Sequence, residues 1–247
     1  MPYWGQLKNS WAKVNDMNKQ VFGTVCSLIE QHLLIIHSDK EDILPNINNH
    51  IHRDIELDIN YHGTIPITTN IIRRWTEPHR CYHNIEHLCY LFQNIFKEYY
   101  MNPKSFNQTI LNGEHYSALY IAAMYHDIVY DTHSATNEED SIKIMEEDLK
   151  NANPDFNIEL VKQIIMDTKL TPGDTKNSMA SDFFYNLDYG YAFNSELTTE
   201  EYERRIRKEY DWVPVEIYKE KRLAFLHGIL TFYPQAQKVI DYINLNY

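Results

Sequence analysis

The chain has 247 residues, of which 43% are hydrophobic and only seven are glycine. That length allows one large domain or two small ones, and the scarcity of glycine favours helices over a turn-rich β fold. The formal net charge of −12 argues against a nucleic-acid duplex as a partner, so an anionic substrate needs local cations or a metal to bind here.

The N-terminal part of the chain divides into a helical and an irregular segment. From about Leu7 to His37 the apolar residues recur at helical spacing, which predicts one or two helices. The Asn-rich segment that follows is interrupted by Pro45 and Gly63. Because it is long for a connection within a compact domain, we predict an irregular insertion near residues 38–63.

Helical patterns resume after Thr68 and continue to the C terminus. The sequences "TNEE" at 136–139 and "TTEE" at 198–201 match the Thr-x-x-Glu capping box that opens helices. Proline and glycine residues separate the successive helices. No internal repeat or low-complexity linker divides the chain, so we predict a single all-α domain over residues 1–247.

The cysteine content favours a reducing compartment. Cys26, Cys81 and Cys89 form no CxxC pair and leave one residue unpaired. The chain opens without a basic-then-apolar leader and contains no apolar run of membrane-spanning length. We therefore expect a cytoplasmic protein without a membrane partner.

The stretch "YHNIEHL" places His83 and His87 four residues apart, on one face of a helix if the helix has begun there. That spacing suits two metal ligands, or one ligand and one substrate-facing acid, and it suits solvated or packed histidines equally well. Cys81 and Cys89 flank the pair and are further possible ligands, although cysteine is more often simply buried.

A second pair of ionisable residues ends the apolar run "SALYIAAMY". His126 and Asp127 follow it directly, and burial there costs several kcal/mol unless the groups are paired or bound to metal. Imidazole and carboxylate together suit divalent Mn, Fe, Co, Ni or Zn. The alternative is a helix end with a dipole-stabilised histidine and a turn-forming aspartate.

A third acidic position lies in "DFFYNLDYGYAF". Asp188 follows Phe184 by four residues, which places it near the buried face of its helix. By itself this position is also typical of a solvated aspartate at a helix end.

Taken in order, these motifs resemble the HD-domain metal-dependent phosphohydrolases. "EPHRCYHNIEHL", "AAMYHDIVYDTHSATNEEDSI", "DFFYNLDYGYAF" and "RKEYDWVP" are similar to a family of predicted, largely uncharacterised members, from about Arg73 to the C terminus. The resemblance implies an all-α, HD-type helical bundle. It also implies one divalent metal ion (Mn, Fe, Co, Ni, Zn or Mg) with four ligands: His87, His126, Asp127 and Asp188.

Resemblance to two other branches of the HD-domain proteins suggests catalytic roles for His83 and Asp131. "YHN" followed by a further His resembles the pocket of cyclic-nucleotide phosphodiesterases, which implies that His83 protonates the leaving oxygen. "HDIVYDT" is similar to "HDVIEDT" of alarmone hydrolases, which aligns Asp131 with a carboxylate near the attacking water. Tyr130 stands where that pattern has glutamate.

The expected activity is metal-dependent hydrolysis of a phosphomonoester or phosphodiester in a small, nucleotide-like substrate. Arg80 and Lys169 are the candidate phosphate contacts, with a solvated surface role as the alternative for each. Two other functions compete with hydrolysis. One is a non-catalytic module that senses nucleotides or metal, and the other is a two-iron oxygenase on the same helical scaffold. The 19 tyrosines are consistent with a homodimer.

Overall fold

A computed structural model describes residues 64–101, 113–150 and 157–247. The expected N-terminal helices, the insertion near residues 38–63 and Cys26 lie outside these ranges. Within them every regular element is an α-helix and no strand occurs, which confirms the all-α prediction. The helices are α1 (Thr64–Trp75), α2 (Ile85–Met101), α3 (Gly113–Tyr125), α4 (Asn137–Leu149), α5 (Ile158–Asp167), α6 (Met179–Asn194), α7 (Thr199–Glu209), α8 (Val215–Ile229) and α9 (Ala236–Asn246).

Side-chain caps define several of the helix starts. Asn157, Ser178 and Thr198 each accept a hydrogen bond from a backbone N–H in the first turn of α5, α6 and α7. At α4 the start is as predicted, but the predicted capping bond is wrong. The Thr136 hydroxyl donates to the Asp140 carboxylate at 3.0 Å, and it accepts no hydrogen bond from a backbone amide of the first turn.

The first core is built around α3. Every side chain from Ala118 to Tyr125 is fully buried, because α3 packs against α2, α4, α5 and α6 at once. Trp75 at the end of α1 donates from its indole nitrogen to the Met124 carbonyl at 2.9 Å. The C-terminal end of α3 is thereby anchored to α1.

A second hydrophobic cluster joins α7, α8 and α9 to the end of α6. Its buried residues include Tyr191, Tyr202, Leu226 and Ile240, and Tyr90 on α2 packs against both clusters. The residues that form the candidate site lie where the two clusters meet. None of the helices in the described ranges combines the length and apolar character needed to cross a bilayer.

Candidate metal centre and active-site cleft

Three of the four predicted metal ligands converge on one point. His87 lies in the first turn of α2, His126 follows the end of α3, and Asp188 lies on α6. One nitrogen or oxygen atom from each lies within 4.8 Å of the others. The closest pairs are His87 Nε2 to Asp188 Oδ1 at 2.8 Å and His126 Nε2 to the same oxygen at 3.4 Å.

Apart from the ion pairs among themselves and with Asp127, the converging atoms have no polar partner in the described ranges. His87 Nε2, His126 Nε2 and Asp188 Oδ1 are shielded from solvent, yet none makes a hydrogen bond of acceptable geometry within the described residues. An unsatisfied buried polar atom costs about 1–3 kcal/mol. Two imidazoles and a carboxylate directed at a common point are the donor set of a divalent transition metal, so these residues fit such an ion.

The imidazole rings are held in place by their surroundings. His126 Nδ1 lies 3.2 Å from the Ala123 carbonyl, so Nδ1 donates its proton there and Nε2 is the nitrogen that faces the cluster. The His87 ring is stacked on Tyr191, with ring centroids 4.6 Å apart. Trp75 contacts both histidine rings. This aromatic shell excludes water and fixes the direction of each candidate ligand atom.

Asp127 lies beside this cluster. Its Oδ2 is 3.3 Å from His126 Nε2, but it does not belong to the group of three whose atoms lie within 4.8 Å of one another. Its role as a fourth ligand stays a prediction. Neither Cys81 nor Cys89 joins the group.

Burial and ion pairing act against each other in this cluster. Burial alone would lower the pKa of His126, but Asp127 and Asp188 together raise that pKa to about 10. For His87 burial dominates and lowers the pKa. Burial works to raise the pKa of Asp127, yet the charge of His126 outweighs it and lowers that pKa to about 2. The pKa of Asp188 is lowered still further, mainly by the two histidines. Both carboxylates are therefore ionised and attract a cation.

His83 does not belong to the group of His87, His126 and Asp188; it binds Glu209, at the end of α7. His83 Nδ1 lies 2.8 Å from Glu209 Oε2. Glu209 Oε1 accepts hydrogen bonds from the backbone N–H groups of Cys81, Tyr82 and His83 at 2.8, 2.7 and 2.9 Å. Because Nδ1 is engaged, Nε2 is the nitrogen available to a molecule in the adjacent cleft.

Glu209 is a residue of the site for which the sequence predicts no role. The residue is 7% exposed and continues the buried stripe of Tyr202 and Ile206 on α7, which was the available signal. An acidic residue on an apolar helical face needs a partner, and here the partner is His83.

The pair also shifts the titration of both groups. Burial works to lower the pKa of His83, but the charge and hydrogen bond of Glu209 outweigh it and raise that pKa. Burial works to raise the pKa of Glu209, but His83 and the backbone amides lower it to about 2. Tyr130 stacks on the His83 ring at 4.2 Å and donates to Glu209 Oε2 at 3.0 Å. His83 therefore keeps a proton to a higher pH than an isolated histidine.

A cleft of about 590 Å³ lies beside the His/Asp cluster and the His83–Glu209 pair. His83, His87, Asp127 and Asp188 line it together with aromatic residues from α6, α7 and α8. The cations on its wall are Lys169, Lys221 and Arg222. The cleft therefore gives a small molecule access to His83 and to the His87 and Asp188 side of the His/Asp cluster.

Arg80 has a different position from the one predicted. Its side chain is fully buried and does not line the cleft. The guanidinium donates to the Asp127 carbonyl at 2.6 Å, the Ile128 carbonyl at 3.1 Å and the His83 carbonyl at 3.3 Å. The structure thus does not bring Arg80 to the cleft, where a phosphate contact was predicted; Arg80 instead ties the backbone of the two histidine motifs together.

Asp131 and Lys169 are also engaged within the protein. Asp131 is 59% exposed, does not line the cleft, and accepts hydrogen bonds from the His133 backbone and ring. Lys169 lines the cleft, but its ammonium lies 2.8 Å from Glu139 and 3.3 Å from Glu138. The structure thus does not bring Asp131 to the group of His87, His126 and Asp188, and the charge of Lys169 is already balanced by the two glutamates.

Comparison of the chain with protein-family models, with curated proteins and with solved structures finds no match.

Proposed function

We propose that this protein is a metal-dependent phosphohydrolase that cleaves a phosphomonoester or phosphodiester bond in a small molecule. The observation that carries the proposal is the buried cluster of His87, His126 and Asp188, whose ligand atoms converge on one point, and two of whose members, His87 and Asp188, line the same cleft as His83. The motif order that resembles HD phosphohydrolases supports the same reaction.

His87, His126 and Asp188 hold one divalent metal ion in this proposal, with Asp127 as the fourth ligand. A bound divalent metal supplies a water molecule of lowered pKa and an electrophilic contact for a phosphoryl oxygen. The aromatic shell around the two histidines excludes bulk water and keeps their nitrogens directed inward. Metal identity is left to experiment, because the donor set suits several divalent ions.

His83 is the proposed general acid. Glu209 holds its ring through Nδ1, so the proton on Nε2 is presented to the cleft. The raised pKa of His83 keeps that proton in place near neutral pH. When the phosphorus–oxygen bond breaks, His83 donates the proton to the departing alkoxide, which then leaves as an alcohol.

A substrate screen tests the proposal. p-Nitrophenyl phosphate, bis-p-nitrophenyl phosphate, nucleoside monophosphates and cyclic nucleotides are each incubated with the protein and Mn²⁺, Co²⁺, Ni²⁺ or Mg²⁺. We expect release of phosphate or alcohol, lost in Asp188→Asn and retained in the exposed control His133→Gln. If the wild-type protein binds metal stoichiometrically but cleaves nothing, the enzyme proposal fails and the sensing module is favoured.

A further inference from the structure

Arg222 on α8 presents a guanidinium edge to the cleft. Its Nε donates to Glu203 Oε2 at 3.1 Å and its Nη2 donates to the Tyr202 hydroxyl at 2.7 Å. The third nitrogen, Nη1, makes no hydrogen bond within the described part of the chain. The side chain is only 11% exposed and lines the cleft. The guanidinium is therefore held rigidly with one donor group unused.

The residues around Arg222 explain this orientation. Glu203 is fully buried and accepts a second hydrogen bond from the Tyr218 hydroxyl at 2.6 Å. Glu203 contacts Arg222 through Nε, so the carboxylate does not occupy the whole planar fork. The guanidinium carbon also lies 5.4 Å from the centre of the Phe225 ring, which flanks it.

The unbalanced positive charge in the cleft lies at this end. Of the three lining cations, Lys169 is paired with two glutamates. Arg222 is paired with Glu203, whereas the neighbouring Lys221 has no ion pair or hydrogen bond in the described ranges. In a chain with a net charge of −12, such a local excess of positive charge is what an anion needs for binding.

Aromatic rings separate the Arg222 end from the metal cluster. The His87 ring contacts Tyr82 at 5.9 Å, Tyr82 contacts Tyr202 at 5.1 Å, and the Tyr202 hydroxyl binds Arg222. His87 and Asp188 thus line one part of the cleft, and Lys221 and Arg222 line another part beyond these rings.

We infer that Lys221 and Arg222 form a second anion subsite, which binds a phosphate or carboxylate group of the substrate other than the scissile phosphate. This inference rests on the proposed function, since it assumes that the scissile phosphate lies at the metal cluster. The subsite determines specificity: a substrate with two anionic groups is bound at both ends of the cleft, and one with a single group at only one end.

Binding of uncleavable anions to chelator-treated protein tests the subsite without turnover. The probes are phenylphosphonate, a benzene ring with one phosphonate group, and benzoate, a benzene ring with one carboxylate group. Isothermal titration calorimetry measures the affinity of each. We expect at least one probe to bind, and Lys221→Gln to weaken its binding by about 3- to 10-fold. Arg222→Lys keeps a charge beside Glu203 but loses the fork, and should also weaken binding. Lys238→Gln, exposed on α9 and absent from the cleft wall, is the control.

The outcomes separate this inference from the proposed function. Weaker probe binding in Lys221→Gln but not in Lys238→Gln supports the subsite even if no substrate is ever cleaved. The stronger probe identifies the anion as phosphate or carboxylate. Equal probe affinity in the wild type and in Lys221→Gln, with thermal unfolding unchanged, overturns the subsite. The absence of binding by both probes also overturns it. Either result holds even if the protein proves to be an active phosphohydrolase.

Discussion

The Glu209 carboxylate lies 2.8 Å from Nδ1 of His83, although 126 residues separate the two in the sequence. The other oxygen of that carboxylate accepts hydrogen bonds from three consecutive backbone amides at Cys81, Tyr82 and His83. One buried side chain therefore fixes both the ring of His83 and the loop that leads into α2. Glu209 is a positioning residue in the proposed mechanism, since it acts through His83.

Replacing Glu209 by glutamine should lower turnover while metal content is retained. The neutral amide holds the His83 ring less firmly and no longer raises the pKa of His83. Because His83 itself is still present, turnover should fall by less than the roughly 10²–10⁴-fold expected for loss of a general acid. The alkaline limb of the pH–rate profile should move to lower pH. Glu200→Gln, exposed on the same helix, is the control. An unchanged pH profile together with a lowered rate would reduce Glu209 to a purely structural role.

The same residue should make stability depend on acid pH. The pKa of Glu209 is lowered from 4.5 to about 2 in the folded protein. Its stabilising contribution is therefore fully present above about pH 4.5 and is lost as the pH falls toward 2. Urea unfolding of the wild type at pH 5.5 and 3.5 should show a drop in the free energy of unfolding, and Glu209→Gln should reduce that drop. An equal drop in both proteins means that other carboxylates control acid stability.

The sequence predicted the local parts of this site and missed the long-range ones. His126 and Asp127 end an apolar run, and His87 and Asp188 lie on helical faces, so their positions follow from spacing along single helices. The proposed metal ligation then depends on the resemblance as well as on the geometry. The all-α fold was predictable because helical periodicity is local.

The roles of the charged residues depend on partners far away in the sequence. Arg80 looked available to a phosphate, but it binds carbonyl groups 47 and 48 residues further along the chain. Lys169 binds Glu139, 30 residues earlier. Periodicity and spacing carry no information about such pairs, which are decided by how the helices pack.

Arg80→Lys should destabilise the protein. Lysine cannot reproduce the fork that binds the carbonyl groups of His83, Asp127 and Ile128, so buried acceptors are left unsatisfied at about 1–3 kcal/mol. Arg73→Lys is a matched control, since the Arg73 side chain is 61% exposed. Urea unfolding measures the difference. Normal stability of Arg80→Lys combined with a raised KM would restore the predicted role in phosphate binding.

Metal retention should depend on the converging residues. His87→Ala and Asp127→Ala should each lose bound metal and hydrolysis while the helices persist, because removal of a ligand also removes a buried polar group. His133→Ala, with its side chain 60% exposed, should retain the metal. Metal analysis by mass spectrometry and circular dichroism are the measurements. Full metal occupancy in Asp127→Ala would leave the three-residue group as the complete protein ligand set.

His83 and His87 should not be equivalent, although they lie four residues apart. His87 is 2% exposed and converges with His126 and Asp188, whereas His83 is 22% exposed and binds Glu209. His83→Ala should keep its metal and lose turnover by roughly 10²–10⁴-fold on alkyl phosphates, because the leaving alkoxide then lacks a proton donor. The loss should be much smaller for p-nitrophenyl phosphate, whose leaving group departs without a proton. His87→Ala should lose metal and activity on both substrates. If the two variants have equal metal content and lose equal activity on both substrates, then both histidines are metal ligands and the proposed general-acid role of His83 is wrong.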